Sequence, residues 1–174
     1  MNIALEQSSM TSIKQTAKAN LKSQYSIPKN ISFIGIIAIT DIEKRDFLVR
    51  GLSEIGLSAI VLGSDEIFGA ENIFSALKIN MNSLAGFDFF IYDNEHDGVD
   101  VVKFMSAGIV PIMPEKNTFS GILKDFNPMR FEGNGFFYKR DSSFCIFEKV
   151  IAYIENIKFP EDKRVLMKNV ISAF

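Results

Sequence analysis

A chain of 174 residues, 47% of them hydrophobic, is the size of one ordinary domain and has enough apolar material for a single buried core. Nineteen Lys and Arg against twenty-one Asp and Glu leave a formal net charge of −2 with no long run of one sign, which excludes nucleic-acid binding by a broad basic face. The single cysteine, Cys145, excludes a disulfide framework and a multi-cysteine zinc site and fits a reducing compartment, and the lone histidine, His96, excludes a histidine-rich metal centre.

From the N-terminus, Met1 to Ser12 lacks the basic and apolar regions of a secretion signal, and no apolar stretch approaches the length of a membrane span. The expectation is a cytoplasmic protein without a membrane partner. Ser12 to Tyr25 reads as a short polar surface helix, with Lys14, Lys18 and Lys22 spaced four apart, closed by Pro28. Ile31 to Ile39 is nearly continuous in β-favouring apolar residues, as in a strand covered on both faces. Thr40 or Asp41 then caps a helix whose Phe47, Leu48, Leu52 and Ile55 recur at helical spacing, and Gly56 stops it.

A second strand is expected at Ser58 to Leu62, a helical segment at Asp65 to Leu84, a strand at Phe87 to Tyr92, a helix at Val99 to Ser106 and a strand at Ile109 to Met113. A helix near Thr118 to Phe126, an irregular stretch at Pro128, the strand Gly135 to Tyr138 and a helix from Ser142 to Asn156 complete the series. Alternation of this kind predicts an α/β Rossmann-like fold, a parallel sheet with helices on both faces. The divisions are an N-terminal helix and linker over 1–29, the Rossmann-like domain over 30–158 and a helical tail over 159–174. Ligands of such sheets bind at the carboxyl ends of the strands, so Thr40 to Lys44, Gly63 to Asp65, Asp93 to Gly98 and Met113 to Thr118 should converge.

The stretch Ala85 to Met113, AGFDFFIYDNEHDGVDVVKFMSAGIVPIM, resembles the pattern AGADFFLMPSxxEPxGLxxxEAMxxGTVPI of the glycogen and starch synthases. The correspondence is ungapped from Glu95 to Ile112 and places Gly98, Met105, Gly108, Pro111 and Ile112 on the family's own residues. Lys18 to Gly35 resembles the family's lysine-rich helix and first strand, Gly133 to Phe137 (GNGFF) its "GTGF" strand, and Lys168 to Phe174 the end of a later helix. The resemblance implies the C-terminal half of a GT-B glycosyltransferase, a family whose active site lies between two Rossmann-like domains. The implied partners are a nucleoside diphosphate sugar, ADP-glucose or UDP-glucose, and a separate N-terminal half. The implied activity is glucosyl transfer to an α-1,4-glucan, with no metal and no cofactor.

Carried over by position, the resemblance assigns Lys44 to the lysine that steadies the departing diphosphate and Glu95 to the first of two glutamates beside the sugar. Gly63, Gly98, Asn117 and Thr118 are the candidate nucleotide-binding positions. Several charged groups depart from the family. Its loop arginine falls on Ile39, its second glutamate on Lys103, and its paired phosphate glycines on Asn117 and Thr118. The domain is therefore expected to be inactive alone.

Blander roles are available for the same residues. Lys44 reads equally as a solvated charge, Asp97 as a helix N-cap, Gly63 as a turn and His96 as an exposed loop residue, and Lys103 reads as an ion pair with Glu95. Two other functions fit parts of the pattern. A response-regulator receiver would use Asp41, Asp93 and Lys139 at strand ends. A non-catalytic interaction subunit derived from a glycosyltransferase would use an exposed apolar end in the aromatic-rich tail, Phe159 to Phe174.

Overall fold

The computed structural model describes residues 3–66 and 68–174, with side chains from residue 12 onward. Its elements in chain order are α1 (Ile3–Gln24), β1 (Ile34–Ala38), α2 (Ile42–Glu54), β2 (Ser58–Leu62), β3 (Ile73–Ala76), a 3₁₀ helix (Met81–Gly86), β4 (Phe89–Tyr92), α3 (Val101–Ser106), β5 (Val110–Pro114), β6 (Phe136–Tyr138), α4 (Ser143–Ile157) and α5 (Pro160–Ile171).

All six strands are parallel and lie in the order β3-β2-β1-β4-β5-β6. The chain winds outward from β1 to β3, returns to lay β4 beside β1, and winds outward again to β6. That reversal makes the β1/β4 boundary the topological switch point, where the loops leave in opposite directions and open a crevice. The receiver order, 2-1-3-4-5, recurs here as β2-β1-β4-β5-β6, with β3 added as a sixth strand at one edge.

Every residue of β1 and β2 is buried, which is why both read as uninterrupted apolar runs. Alternation appears in β4. Phe89 meets Tyr153 of α4 at 5.4 Å between ring centroids, and its neighbour Phe90 meets Phe104 of α3 edge-on at 5.3 Å, so the two helices cover opposite faces.

Three sequence expectations fail locally. The segment 65–84 is no helix. Ile73 to Ala76 pairs along β2 from Ala59↔Ile73 to Leu62↔Ala76, and a 3₁₀ helix capped by the Asn80 side chain follows. Asn72 at φ 60° starts the strand, its carbonyl accepting from the Ser58 hydroxyl at 2.8 Å, and Phe74 reaches the ring of Tyr25. A vacant sheet edge outweighed weak helical periodicity there.

The helix expected at Thr118 to Phe126 is a folded loop instead. Asn117 Oδ1 accepts from the Phe119 amide, Asn134 Oδ1 from the Lys124 amide and Asp125 Oδ1 from the Phe137 amide. Short polar side chains satisfy backbone donors in place of a helical ladder.

The N-terminal helix is also no surface helix. Ala17 and Leu21 are buried, and the three lysines reach beneath the sheet to its amino-terminal end. Lys14 Nζ donates to the carbonyls of Phe87 and Gly108 at 3.0 Å each, and Lys18 Nζ to Ser32 O at 2.8 Å and to the Asp88 carboxylate at 2.6 Å. Lys22 Nζ takes the carbonyls of Lys29 and Ile31. These bonds satisfy carbonyls that enter the strands, where the ladder offers no partner. Enclosure pushes the Lys14 ammonium down to about 8.

Candidate functional site

The four expected loops do converge at the carboxyl end of the sheet, and the segment Asp93–Gly98 joins them. Asp93, leaving β4, accepts the Thr40 amide at the end of β1 on Oδ2 at 2.5 Å and the Glu95 amide on Oδ1 at 3.0 Å. Asn94, at φ 71°, donates from its side chain to Lys116 O beyond β5 at 3.2 Å. His96 Nε2 lies 3.0 Å from Leu62 O at the end of β2, and the Gly98 amide donates to His96 Nδ1 at 3.1 Å. The expected exposed histidine is thus a half-buried link between β2 and the β4 loop.

Lys44 sits in the first turn of α2, which is N-capped by Asp41 through the Lys44 amide at 3.0 Å. Its ammonium is paired with Asp141 at 2.6 Å and lies 3.7 Å from Asp41. The hydrogen bond that its ammonium donates to Asp141 is the main reason that the Lys44 amine is held above its ordinary value; the Asp41 carboxyl is held below its own by the Lys44 amide. Asp141 lies between β6 and α4, which packs against α2, so the Lys44 cation is already neutralised.

The remaining site residues are arranged unequally. Glu95 is exposed, and its carboxylate makes no hydrogen bond among the described residues. Gly63 (φ 76°) and Gly98 lie against the His96 ring: a Cβ on Gly63 would stand 2.6 Å from Nε2, and one on Gly98 3.0 Å from Cε1. Asn117 builds its own turn, with Nδ2 donating to Pro114 O at 2.7 Å, and Thr118 beside it is exposed.

Two expectations are corrected here. The α3 N-cap is Asp100, accepting from the Lys103 amide, rather than Asp97. Lys103 makes no ion pair with Glu95 among the described residues; it lines a cavity of about 620 Å³ between α1, the 3₁₀ helix and α3. That cavity adjoins α1, whose lysines mark the amino-terminal end of the strands, so it is a space apart from the crevice.

Sequence reading missed Arg45. Its guanidinium pairs with Glu66 at 2.8 Å and lies over the Phe68 ring at 5.5 Å, while Nε is buried without a hydrogen-bond partner. It also missed Asp141 and Tyr138, whose hydroxyl donates to Tyr92 O at 3.3 Å and ties β6 to β4. Burial pushes the Tyr138 phenol far up, so it is a neutral donor. Partners this distant in sequence leave no local signal.

The carboxyl end of the sheet thus carries Lys44, paired with Asp141, and the open Glu95 carboxylate, while the Thr40, Glu95 and Gly98 amides are held by Asp93 and His96. An anion there would compete with these internal partners. Among the described residues no group of three or more His, Cys, Asp or Glu could hold a metal ion, and no helix is long and apolar enough to cross a membrane. Of the acids that a receiver would use, Asp41 is engaged as a helix cap and both Asp93 oxygens are engaged by backbone amides.

No protein-family model matches the chain, and no curated sequence matches it significantly. Solved structures do. The catalytic domain of starch synthase IV from Arabidopsis thaliana, bound to ADP and acarbose, superposes with a TM-score of 0.69 at 18% identity, over 91% of this chain and 38% of that one. A spinosyn forosaminyltransferase, SpnP, matches with a TM-score of 0.54 at 10% identity over 84% of this chain and 42% of its own. A wall teichoic acid polymerase, TagF, matches at 0.53 and 12% over 91% and 40%. These neighbours are GT-B glycosyltransferases, and the chain has the fold of one of their Rossmann-like domains, spanning about two-fifths of their length.

Proposed function

We propose that the chain is the nucleotide-sugar-binding, C-terminal half of a glycosyltransferase resembling the glycogen and starch synthases, unable to complete glucosyl transfer alone. The observation that carries this reading is the switch point between β1 and β4, where Lys44 and the Glu95 loop face one crevice in a fold that, in starch synthase IV, was solved with ADP.

In this reading the diphosphate of ADP-glucose or UDP-glucose exchanges with Asp141 for Lys44, and Glu95 accepts hydroxyl groups of the sugar. Amides near Gly63, Gly98, Asn117 and Thr118 line the nucleotide. With Ile39 in the place of an arginine, half of the cationic clamp on a leaving diphosphate is missing, and Lys103 in the place of a glutamate cannot accept hydroxyl hydrogen bonds. The acceptor side requires a separate N-terminal half. A reducing, cytoplasmic setting suits the single Cys145.

Isothermal titration with ADP, UDP and their glucose conjugates tests this. Saturable binding, lost in Lys44→Ala, is expected; absence of heat at millimolar nucleotide sinks it. A second reading, a non-catalytic interaction subunit, is favoured by Phe159, which caps α5 without a side-chain bond and is 63% exposed. It predicts retention of a partner through that tail with no response to nucleotide.

A further inference from the structure

His96 stands between Gly63 and Gly98 with both ring nitrogens engaged. A carbonyl can only accept, so the proton must be on Nε2 to bond Leu62 O at 3.0 Å. An amide can only donate, so Nδ1 must present a lone pair to the Gly98 N–H at 3.1 Å. One state alone, the neutral Nε2–H tautomer, makes both bonds. The two glycines fit the same ring, since a methyl group at either would press on it.

The hydrogen bond on Nδ1 has a consequence for the site. The Gly98 amide belongs to the loop that carries Glu95, and while His96 holds it the amide is withheld from any anion in the crevice. A second proton, on Nδ1, would set two donors face to face and expel the Gly98 amide. Charged groups on the segments meeting at the ring are Asp93, Glu95 and Asp97 in its own loop, Asp65 and Glu66 after β2, and Asp100 before α3. Asp93 is committed to two amides, Glu66 to Arg45 and Asp100 to the Lys103 amide. Glu95, Asp97 and Asp65 are the carboxylates left to receive an imidazolium.

We propose that His96 is a proton-operated latch and positioning residue of this site: neutral, it holds the Gly98 amide on Nδ1; protonated, it keeps its bond to Leu62 O but releases the Gly98 amide to an anionic ligand. The ligand half of this rests on the nucleotide reading above; the latch itself does not.

Because the chain has one histidine, a long-range nitrogen–proton NMR spectrum reports its tautomer without assignment. At neutral pH the proton is expected on Nε2, and the Gly98 amide resonance should shift with the midpoint of the imidazole. In His96→Asn, whose side-chain oxygen keeps the acceptor but does not titrate, the Gly98 amide should stop responding. In His96→Ala, which has no side-chain acceptor, it should sit at the released position at every pH. A proton on Nδ1, or a Gly98 amide that stays fixed while the imidazole titrates, overturns the latch.

The same samples titrated with ADP separate the two halves, the Asn variant correcting for protonation of the phosphate itself. Affinity should gain about fivefold more in the wild type than in His96→Asn on acidification. An equal gain overturns release to the ligand. Absence of ADP and UDP binding at all pH values, with the latch still titrating, removes the nucleotide reading and leaves the latch standing.

Discussion

Replacing Asp88 by alanine removes an anchor beneath the sheet. Its Oδ2 accepts the Ile34 amide, the first donor of β1, at 2.9 Å and the Lys18 ammonium at 2.6 Å, and the residue is buried. Alanine leaves the Ile34 amide unpaired in the interior, which costs roughly 1–3 kcal/mol, and strips Lys18 of its carboxylate partner, for a total of about 3 kcal/mol. For a chain of this length each kcal/mol lowers Tm by about 2–4 °C, so a fall of about 6–12 °C is expected. Asp88→Asn separates the parts, since its amide oxygen still accepts from Ile34 and only the charge is lost. Its expected cost is about 1 kcal/mol. Urea denaturation of both variants gives the comparison. Equal losses would mean that charge alone holds α1; no loss in either would refute the anchoring of β1 through Asp88.

Stability should rise by about 2 kcal/mol between pH 8 and 10, because Lys14, lowered to about 8, sheds its proton in the folded protein while the unfolded chain keeps it until about 10.5. Below pH 8 both states are protonated and the burial penalty is fully present; Lys14→Met should flatten the rise in urea titrations across that range. Asp141→Asn should tighten ADP binding several-fold by calorimetry, because it releases the Lys44 ammonium it now holds at 2.6 Å. The exposed pair contributes little to the fold, so Tm should move by less than about 2 °C. Phe136→Ala, emptying a site between Phe126 and Tyr153, should cost about 3–5 kcal/mol in thermal or urea unfolding.

The sheet was legible because its central strands are buried on both faces and therefore nearly free of polar residues. Ile34–Ala38, Ser58–Leu62 and Phe89–Tyr92 need no partner to be recognised. Asp41, one of two cap candidates with Thr40, announced its helix by local capping, which is written within three residues. Ile73–Ala76 did not, because an edge strand is specified by the partner it pairs with.

The lysines of α1 misled for a related reason. Their four-residue spacing marks one helix face, and nothing local says whether that face meets water or the carbonyls of Phe87, Gly108 and Ser32. In the site, the alternation of strands and helices located the converging loops. The alliances that set their chemistry, Lys44 with Asp141 and His96 with Leu62, join residues 97 and 34 apart in the chain and carry no local pattern.

The central claim is that the crevice at the β1/β4 switch point holds the diphosphate of a nucleotide. The most direct test is a nitrogen–proton NMR titration of the labelled chain with ADP and UDP. Saturable shifts are expected at Thr40 to Lys44, Gly63, Glu95 to Gly98 and Asn117 to Thr118, abolished in Lys44→Ala. No shifts at millimolar nucleotide, or shifts confined to the α1 cavity around Ala17, Leu84 and Lys103, would contradict it.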